Sequence, residues 1–281
     1  MQVGGDTAGA VALSIELAAM STLDLRREGA VLHITLNRPE SRNAMSMTMV
    51  RELGAVLAQA QMAGDTRVIV LRGAEDHFCA GADLKDMAGA RMKLADDPRA
   101  LVDTNAAFGE LCVAYAGTGI ATVAVLEGTV MGGGFGLACV ADVAIAAPSA
   151  NFRLPETALG VVPAQIAPFL VERLGYSQAK RLAVSGARID AVQALALGLV
   201  HEAPAADTLD ATLARVLADI LACAPGAIAA TKALMAKARF QTPASLVQEA
   251  AEIFSAAALG PEGTEGTTAF LQKRKPSWVP Q

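Results

Sequence analysis

The chain has 281 residues, of which 53% are hydrophobic and only 4% aromatic, so its core must be built mostly from Ala, Val and Leu. That length fits one large domain or a domain with an appendage. A formal net charge of −5, with no basic run longer than Lys273-Arg274-Lys275, excludes a nucleic-acid surface on electrostatic grounds.

Residues 1–22 read as an N-terminal extension, expected to be poorly ordered. Met1 to Ala10 is Gly-rich, and Met20 is a second candidate start. Val11 to Met20 is apolar but lacks a basic leader, and it is half the roughly 20 residues a membrane span needs. No signal peptide is expected, and the protein is placed in the cytoplasm, off the membrane. From Leu23 periodic structure begins. Strand-like runs recur at Val31 to Leu36, Val68 to Leu71, Thr122 to Leu126 and Val143 to Ala146, and a helical pattern occupies Met45 to Met62 with Met49, Leu53, Val56, Leu57 and Ala60 on one face. Alternating strands and helices predict an α/β architecture. Near-continuous apolar strands such as VAIAA predict sheets covered on both faces. Beyond about Ala206 strand signals vanish, and three amphipathic segments follow: Leu209 to Ala224, Gly226 to Arg239 and Pro243 to Leu259.

Two glycine-rich bends stand out. Phe78-Cys79-Ala80-Gly81-Ala82-Asp83 follows the strand RVIVL, and Thr129 to Gly136, TVMGGGFG, carries four glycines within five residues before a helical pattern. Such a junction lets the backbone approach a ligand and aims unpaired N–H groups of the first helical turn at it. Two donors from two bends suit the oxygen of a thioester enolate. Alone, the glycine run fits an ordinary tight turn equally well. A third segment, FRLPETALGVVP at Phe152 to Pro163, sets Glu156 after Pro155 and beside apolar Leu154, Ala158 and Leu159. Desolvation there is expected to raise its pKa toward the range a general acid or base needs.

Four cysteines, Cys79, Cys112, Cys139 and Cys223, are scattered in apolar or small-residue contexts without metal-ligand spacing and read as reduced packing residues. With three histidines, His33, His77 and His201, no metal site is assembled. His77 precedes the first bend and reads as a loop histidine, with pocket lining as the alternative.

These three segments, together with LNRPESRNA at Leu36 to Ala44, make the chain similar to the crotonase (enoyl-CoA hydratase/isomerase) superfamily from about Leu25 to the end, through EGTTAFLQKRKP at Glu265 to Pro276. The resemblance implies a spiral of ββα turns over residues 23–205 and a helical oligomerisation region over 206–281, making a homotrimer or a hexamer of paired trimers. It implies an acyl-CoA substrate and no separate cofactor, with Ala82 and Gly133 giving the two oxyanion N–H groups and Glu156 the catalytic carboxylate. Ala80, Gly81, Asp83, Gly132, Gly134 and Gly136 are implied to shape the substrate site. Phe254 and Lys273 match positions that cover the adenine of CoA in a neighbouring subunit, against the plainer readings of a core phenylalanine and a solvated lysine. Arg42 and Lys85 are further cations near the first two motifs.

One departure is informative: Gly136 stands where the best-known hydratases carry a second glutamate. With PAQIAPFLV at Pro163 to Val171, this pattern is most similar to hydratases of branched glutaconyl-CoA thioesters, isohexenylglutaconyl-CoA hydratase and 3-methylglutaconyl-CoA hydratase. The expected reaction is hydration of an α,β-unsaturated acyl-CoA, with pocket space opened by the missing side chain at residue 136. Double-bond isomerisation and decarboxylation by the same site stay open, as does non-catalytic acyl-CoA binding.

Overall fold

The computed structural model describes residues 20–280, so most of the expected N-terminal extension lies outside the described residues. A hairpin opens the fold: β1 (Leu23–Glu28) and β2 (Val31–Leu36) pair antiparallel across a turn at Gly29, whose φ of +56° suits a residue without a Cβ. Three strands then add in parallel, β3 (Val68–Gly73), β4 (Ala121–Leu126) and β6 (Val143–Ala146), giving the order β1-β2-β3-β4-β6. A second sheet, β5 (Thr129–Met131), β7 (Asn151–Arg153) and β8 (Arg188–Asp190), collects the strand that follows each later turn of the chain. Parallel pairing requires crossovers, and α1 (Met47–Ala63), α2 (Leu84–Met92) with α3 (Ala100–Gly117), and α4 (Gly133–Val140) supply them. The result is the stacked ββα spiral expected from the sequence.

Both faces of the larger sheet are covered. Ile69, Leu71, Ala124 and Leu126 point into a core shared with α1 and α3, and Val68, Val70, Val123 and Val125 point the other way. That is why β3 and β4 read as unbroken apolar runs. The helix α1 begins where the Ser46 hydroxyl accepts from the Met49 N–H and stops at Gly64 in the left-handed region; Met49, Leu53, Val56, Leu57 and Ala60 are its buried stripe, as the periodicity predicts.

Downstream come α5 (Ala167–Ser185), broken at Gly175, α6 (Ala191–Ala196), α7 (Leu209–Ala222), α8 (Pro225–Ala238), α9 (Pro243–Leu259) and α10 (Pro261–Leu271). Leu209, Leu213 and Val216 of α7 seal the second face of the sheet, so the first of the C-terminal helices completes the core. Four helices stand where three were expected, and α10 escaped notice because three Thr and two Gly in its eleven residues blur the pattern. The strands β1, β7 and β8 were likewise not anticipated; β7 and β8 have three residues each, too short to show a period. No single described helix is long and apolar enough to cross a membrane.

The C-terminal tail returns to the start of the sheet. Arg67, just before β3, donates to the carbonyls of Trp278, Leu221 and Cys223, while the Trp278 indole N–H donates to the Ala222 carbonyl at 3.0 Å. Lys232 of α8 reaches the Ile120 carbonyl and the Asp142 carboxylate, anchoring that helix to the strand ends.

Candidate active site

The two bends meet because a fragment of parallel ladder joins them. The Cys79 N–H donates to the Thr129 carbonyl and the Met131 N–H to the Cys79 carbonyl, both at 2.9 Å, after which each chain turns at a glycine of positive φ, +95° at Gly81 and +49° at Gly132. A Cβ on Gly81 would stand 3.1 Å from the Met131 carbonyl oxygen, and one on Gly132 3.5 Å from the Gly81 Cα. Gly134 is equally constrained, since a Cβ there would come within 2.7 Å of the Cys79 carbonyl oxygen and Cβ. Close backbone packing is thus the use of these glycines, and Ala82 and Gly133 follow directly from the contact.

Neither the Ala82 nor the Gly133 N–H finds an acceptor among the described residues. Ala82 is exposed, and Gly133 is the first residue of α4, whose N–H is an orphan by helix geometry. The first motif fixes the Ala82 bend from behind. Asn43, fully buried, accepts from the Arg38 N–H and donates to the Ala74 and His77 carbonyls, tying the loop of residues 37–45 to the loop of residues 74–78. The Met45 N–H donates to the Gly81 carbonyl and the Asp83 N–H to the Met45 carbonyl. Arg38 pairs with Asp83 at 2.8 Å.

Glu156 opens a 3-10 turn, Glu156–Leu159, that ends at left-handed Gly160. Its backbone carbonyl accepts from Val161, and Thr157 Oγ1 donates to the Ala183 carbonyl of α5, so the turn is held at both ends. The carboxylate lies against the glycine run: Oε1 is 3.0 Å from where a Gly132 Cβ would be, and Oε2 is buried with no partner among the described residues. Burial raises the Glu156 pKa above the ordinary carboxylate range, opposed by a hydrogen bond from its own N–H. Leu154 is buried beneath the turn, whereas Ala158 and Leu159 are exposed and form no wall around the carboxyl group.

Gly136 corrects an expectation. A Cβ there would lie 3.2 Å from the Ile166 Cβ and nearer still to its Cγ2 methyl, with the Phe108 ring tip 3.7 Å away. The volume a second glutamate would need is filled by Ile166, itself buried, so the missing side chain opens no cavity. Phe108 also covers Gly133, its Cζ 3.2 Å from that residue's Cβ position. Neighbouring Gln165 passes over Gly109, with its Cδ 2.7 Å from where a Cβ would stand, and donates to Asn105 Oδ1 at 2.8 Å. Phe108 and Asn105 were not singled out from the sequence, and Gln165 and Ile166 appeared only inside the quoted PAQIAPFLV without a role; two glycines, Gly109 and Gly136, inside apolar helical runs were the further signal, since glycine there marks close approach.

Other candidates sort as follows. Asp83 is buried and spends Oδ1 on the Lys85 N–H and Oδ2 on Arg38, so it caps α2 and braces the bend. The Ala80 N–H donates to the carbonyl of Arg42, an exposed residue in the left-handed region. His77 is a brace as well, its Nδ1 accepting from the Thr129 N–H. Phe254 on α9 is 74% exposed, not a core residue of the protomer, and Lys273 is exposed just past α10, so neither meets the bends within one chain. Cys79, Cys112 and Cys139 are buried as expected, and burial holds their thiols at about 11 to 12; Cys223 is exposed, against expectation.

Comparison with known proteins agrees with this fold. The profile described as enoyl-CoA hydratase/isomerase matches residues 26–281. The chain is 35% identical over 262 residues to 2,3-dehydroadipyl-CoA hydratase of Escherichia coli, covering 92% of this chain and 99% of that one. It is 29% identical to mevalonyl-coenzyme A hydratase of Aspergillus fumigatus, covering 89% and 92%. Among solved structures, Pseudomonas aeruginosa AtuE superposes with a TM-score of 0.88 at 53% identity, covering 92% of this chain and all of that one. A profile match over nearly the whole chain and 35% identity to a hydratase covered almost end to end lead to one statement: the chain belongs to the enoyl-CoA hydratase/isomerase family.

Proposed function

We propose that the protein hydrates a branched, carboxylated α,β-unsaturated acyl-CoA of the glutaconyl type, using Ala82 and Gly133 as oxyanion donors and Glu156 as the only carboxylate. The broader activity, hydration of an enoyl-CoA thioester by a lyase of this family, is the common ground of its relatives. The carrying observation is the half-buried Glu156, its Oε2 buried and unpartnered among the described residues, beside the glycine run that presents the Gly133 N–H.

The thioester carbonyl accepts from the two main-chain amides, which are already fixed and need no reorganisation as negative charge grows on its oxygen. Glu156, ionised, takes a proton from water while the water oxygen bonds to the β-carbon and the double-bond electrons move into the enolate. Protonated Glu156 then gives a proton to the α-carbon on the same face, and the carbonyl re-forms. Addition is syn, and the carboxylate is regenerated. Supporting the branched, carboxylated acyl group are two relatives whose names specify a dicarboxylic acyl chain and a 3-methyl-branched one.

The test is a panel of thioesters, crotonyl-CoA, 3-methylcrotonyl-CoA and 3-methylglutaconyl-CoA, with products weighed by mass spectrometry. A gain of one water, with preference for the branched glutaconyl form, is expected; preference for crotonyl-CoA would remove the substrate assignment. One observation favours a second reading: Ile166 and Phe108 leave an apolar wall where a second water-holding acid would stand, which suits a single-base double-bond isomerase. Product of unchanged mass with a shifted double bond would establish it.

The same reading includes self-association through the C-terminal helices. Phe240, Val247, Phe254, Leu259, Phe270 and Leu271 are each at least 67% exposed, more apolar surface than a monomer usually leaves bare. A trimer or a pair of trimers would cover them and bring Phe254 and Lys273 to a neighbour's CoA.

A further inference from the structure

The wall opposite Glu156 ends in two amides that the reaction does not use. On α3, Asn105, Phe108 and Gly109 share one face by their spacing of three and four residues. Phe108 covers Gly133 and Ile166 fills the space over Gly136, while one turn before Phe108 and one residue before Ile166 stand Asn105 and Gln165, hydrogen-bonded to each other at 2.8 Å. An acyl group whose carbonyl oxygen sits at the Ala82 and Gly133 amides and whose reacting carbons face Glu156 must run along Phe108 and Ile166. The Asn105–Gln165 pair borders that path, since Asn105 is one turn from Phe108 and Gln165 adjoins Ile166. The two amides hold four N–H groups and spend one on each other, whichever way they are oriented, so three remain without an acceptor among the described residues. Arg99, the cation just before that helix, is already paired with Asp103.

We propose that Asn105 and Gln165 form a specificity subsite that donates N–H groups to a carboxylate carried by the far end of the acyl group. This rests on the branched glutaconyl reading and names the residues that read its charge. Neutral donors suit the task, because they recognise a carboxylate without a second charge to desolvate. Gly109 is part of the device, since only a residue without a Cβ leaves Gln165 its path across α3.

The experiment compares kcat/KM for 3-methylglutaconyl-CoA with that for crotonyl-CoA in wild type, Asn105→Leu, Gln165→Glu and Gly109→Ala. Asn105 is exposed, so its replacement spares the fold, and melting curves check the others. In Asn105→Leu and Gln165→Glu the ratio is expected to fall about ten- to hundredfold, carried mainly by KM. Gly109→Ala keeps both amides but pushes Gln165 aside, and should lower the ratio in the same direction. If wild type turns over both thioesters and the ratio stays put in all three variants, the subsite is wrong and the substrate reading survives. If wild type hydrates crotonyl-CoA but not the glutaconyl ester, both fall together.

Discussion

Glu156 holds its reactivity through burial, and the same burial has opposite effects on activity and stability. Because its pKa is raised, the acid limb of kcat/KM should lie at higher pH than an ordinary glutamate gives, and Glu156→Gln should lower kcat by about 10²- to 10⁴-fold while acyl-CoA binding persists. For stability the sign is reversed. A carboxyl group whose folded pKa lies above its unfolded value favours the fold below the unfolded pKa and loses that contribution as pH rises through the folded one. Glu156→Gln is therefore expected to melt at or above the wild-type temperature near pH 8, the gap closing toward pH 4; a lower melting temperature at pH 8 would show that the carboxylate is better solvated than its unpartnered Oε2 indicates. Gly136 carries the complementary prediction. Gly136→Glu must displace Ile166, an overpacking cost of about 1–3 kcal/mol, and Ile166→Gly in the same chain should recover much of it. Equal melting temperatures for the single and double variants would contradict the packing.

Among elements, the glycine bends were legible in the sequence because close backbone approach leaves a compositional trace, and the residues on either side of Gly81 and Gly132 could be placed before any contact was known. The strands β2 and β6 and the helix α9 match their expected bounds, each being a clean apolar run or a periodic segment between breakers. What stayed hidden depends on non-local contacts. Nothing local marks Ile166 as the group that fills the Gly136 position thirty residues away, and the pocket space expected there proved to be packed. Nor does spacing announce that Asn43 holds the Ala82 bend, although it sits in a quoted motif; its three hydrogen bonds reach residues 38, 74 and 77. Asn43→Ala leaves two part-buried carbonyls and an amide without their partner. It should cost about 1–3 kcal/mol in stability and lower kcat on every thioester alike, through a looser Ala82 donor. A loss confined to one substrate would argue that Asn43 acts elsewhere.

For the whole molecule, the division between a sheet core and a helical remainder runs later than composition suggests. The helix α7 belongs to the core through Leu209, Leu213 and Val216, while α9 and α10 expose Val247, Phe254, Leu259, Phe270 and Leu271. Sedimentation at micromolar concentration should give a particle three or six times the 28.8 kDa chain mass, and Phe270→Glu with Leu271→Glu should shift it toward the protomer. Sedimentation of the unaltered protein as a protomer would remove the association proposal. The tail carries a different consequence. Arg67 depends on carbonyls at residues 221, 223 and 278, so a cation in the first quarter of the chain waits for acceptors made in the last. On the ribosome, the Leu221 and Cys223 carbonyls reach Arg67 first, and the contact is finished only when Trp278 emerges. Ending the chain at residue 275 would leave Arg67 two of its three acceptors and remove the Trp278 bond to Ala222, so the segment before β3 should be cut faster by proteases than in the chain that carries Trp278.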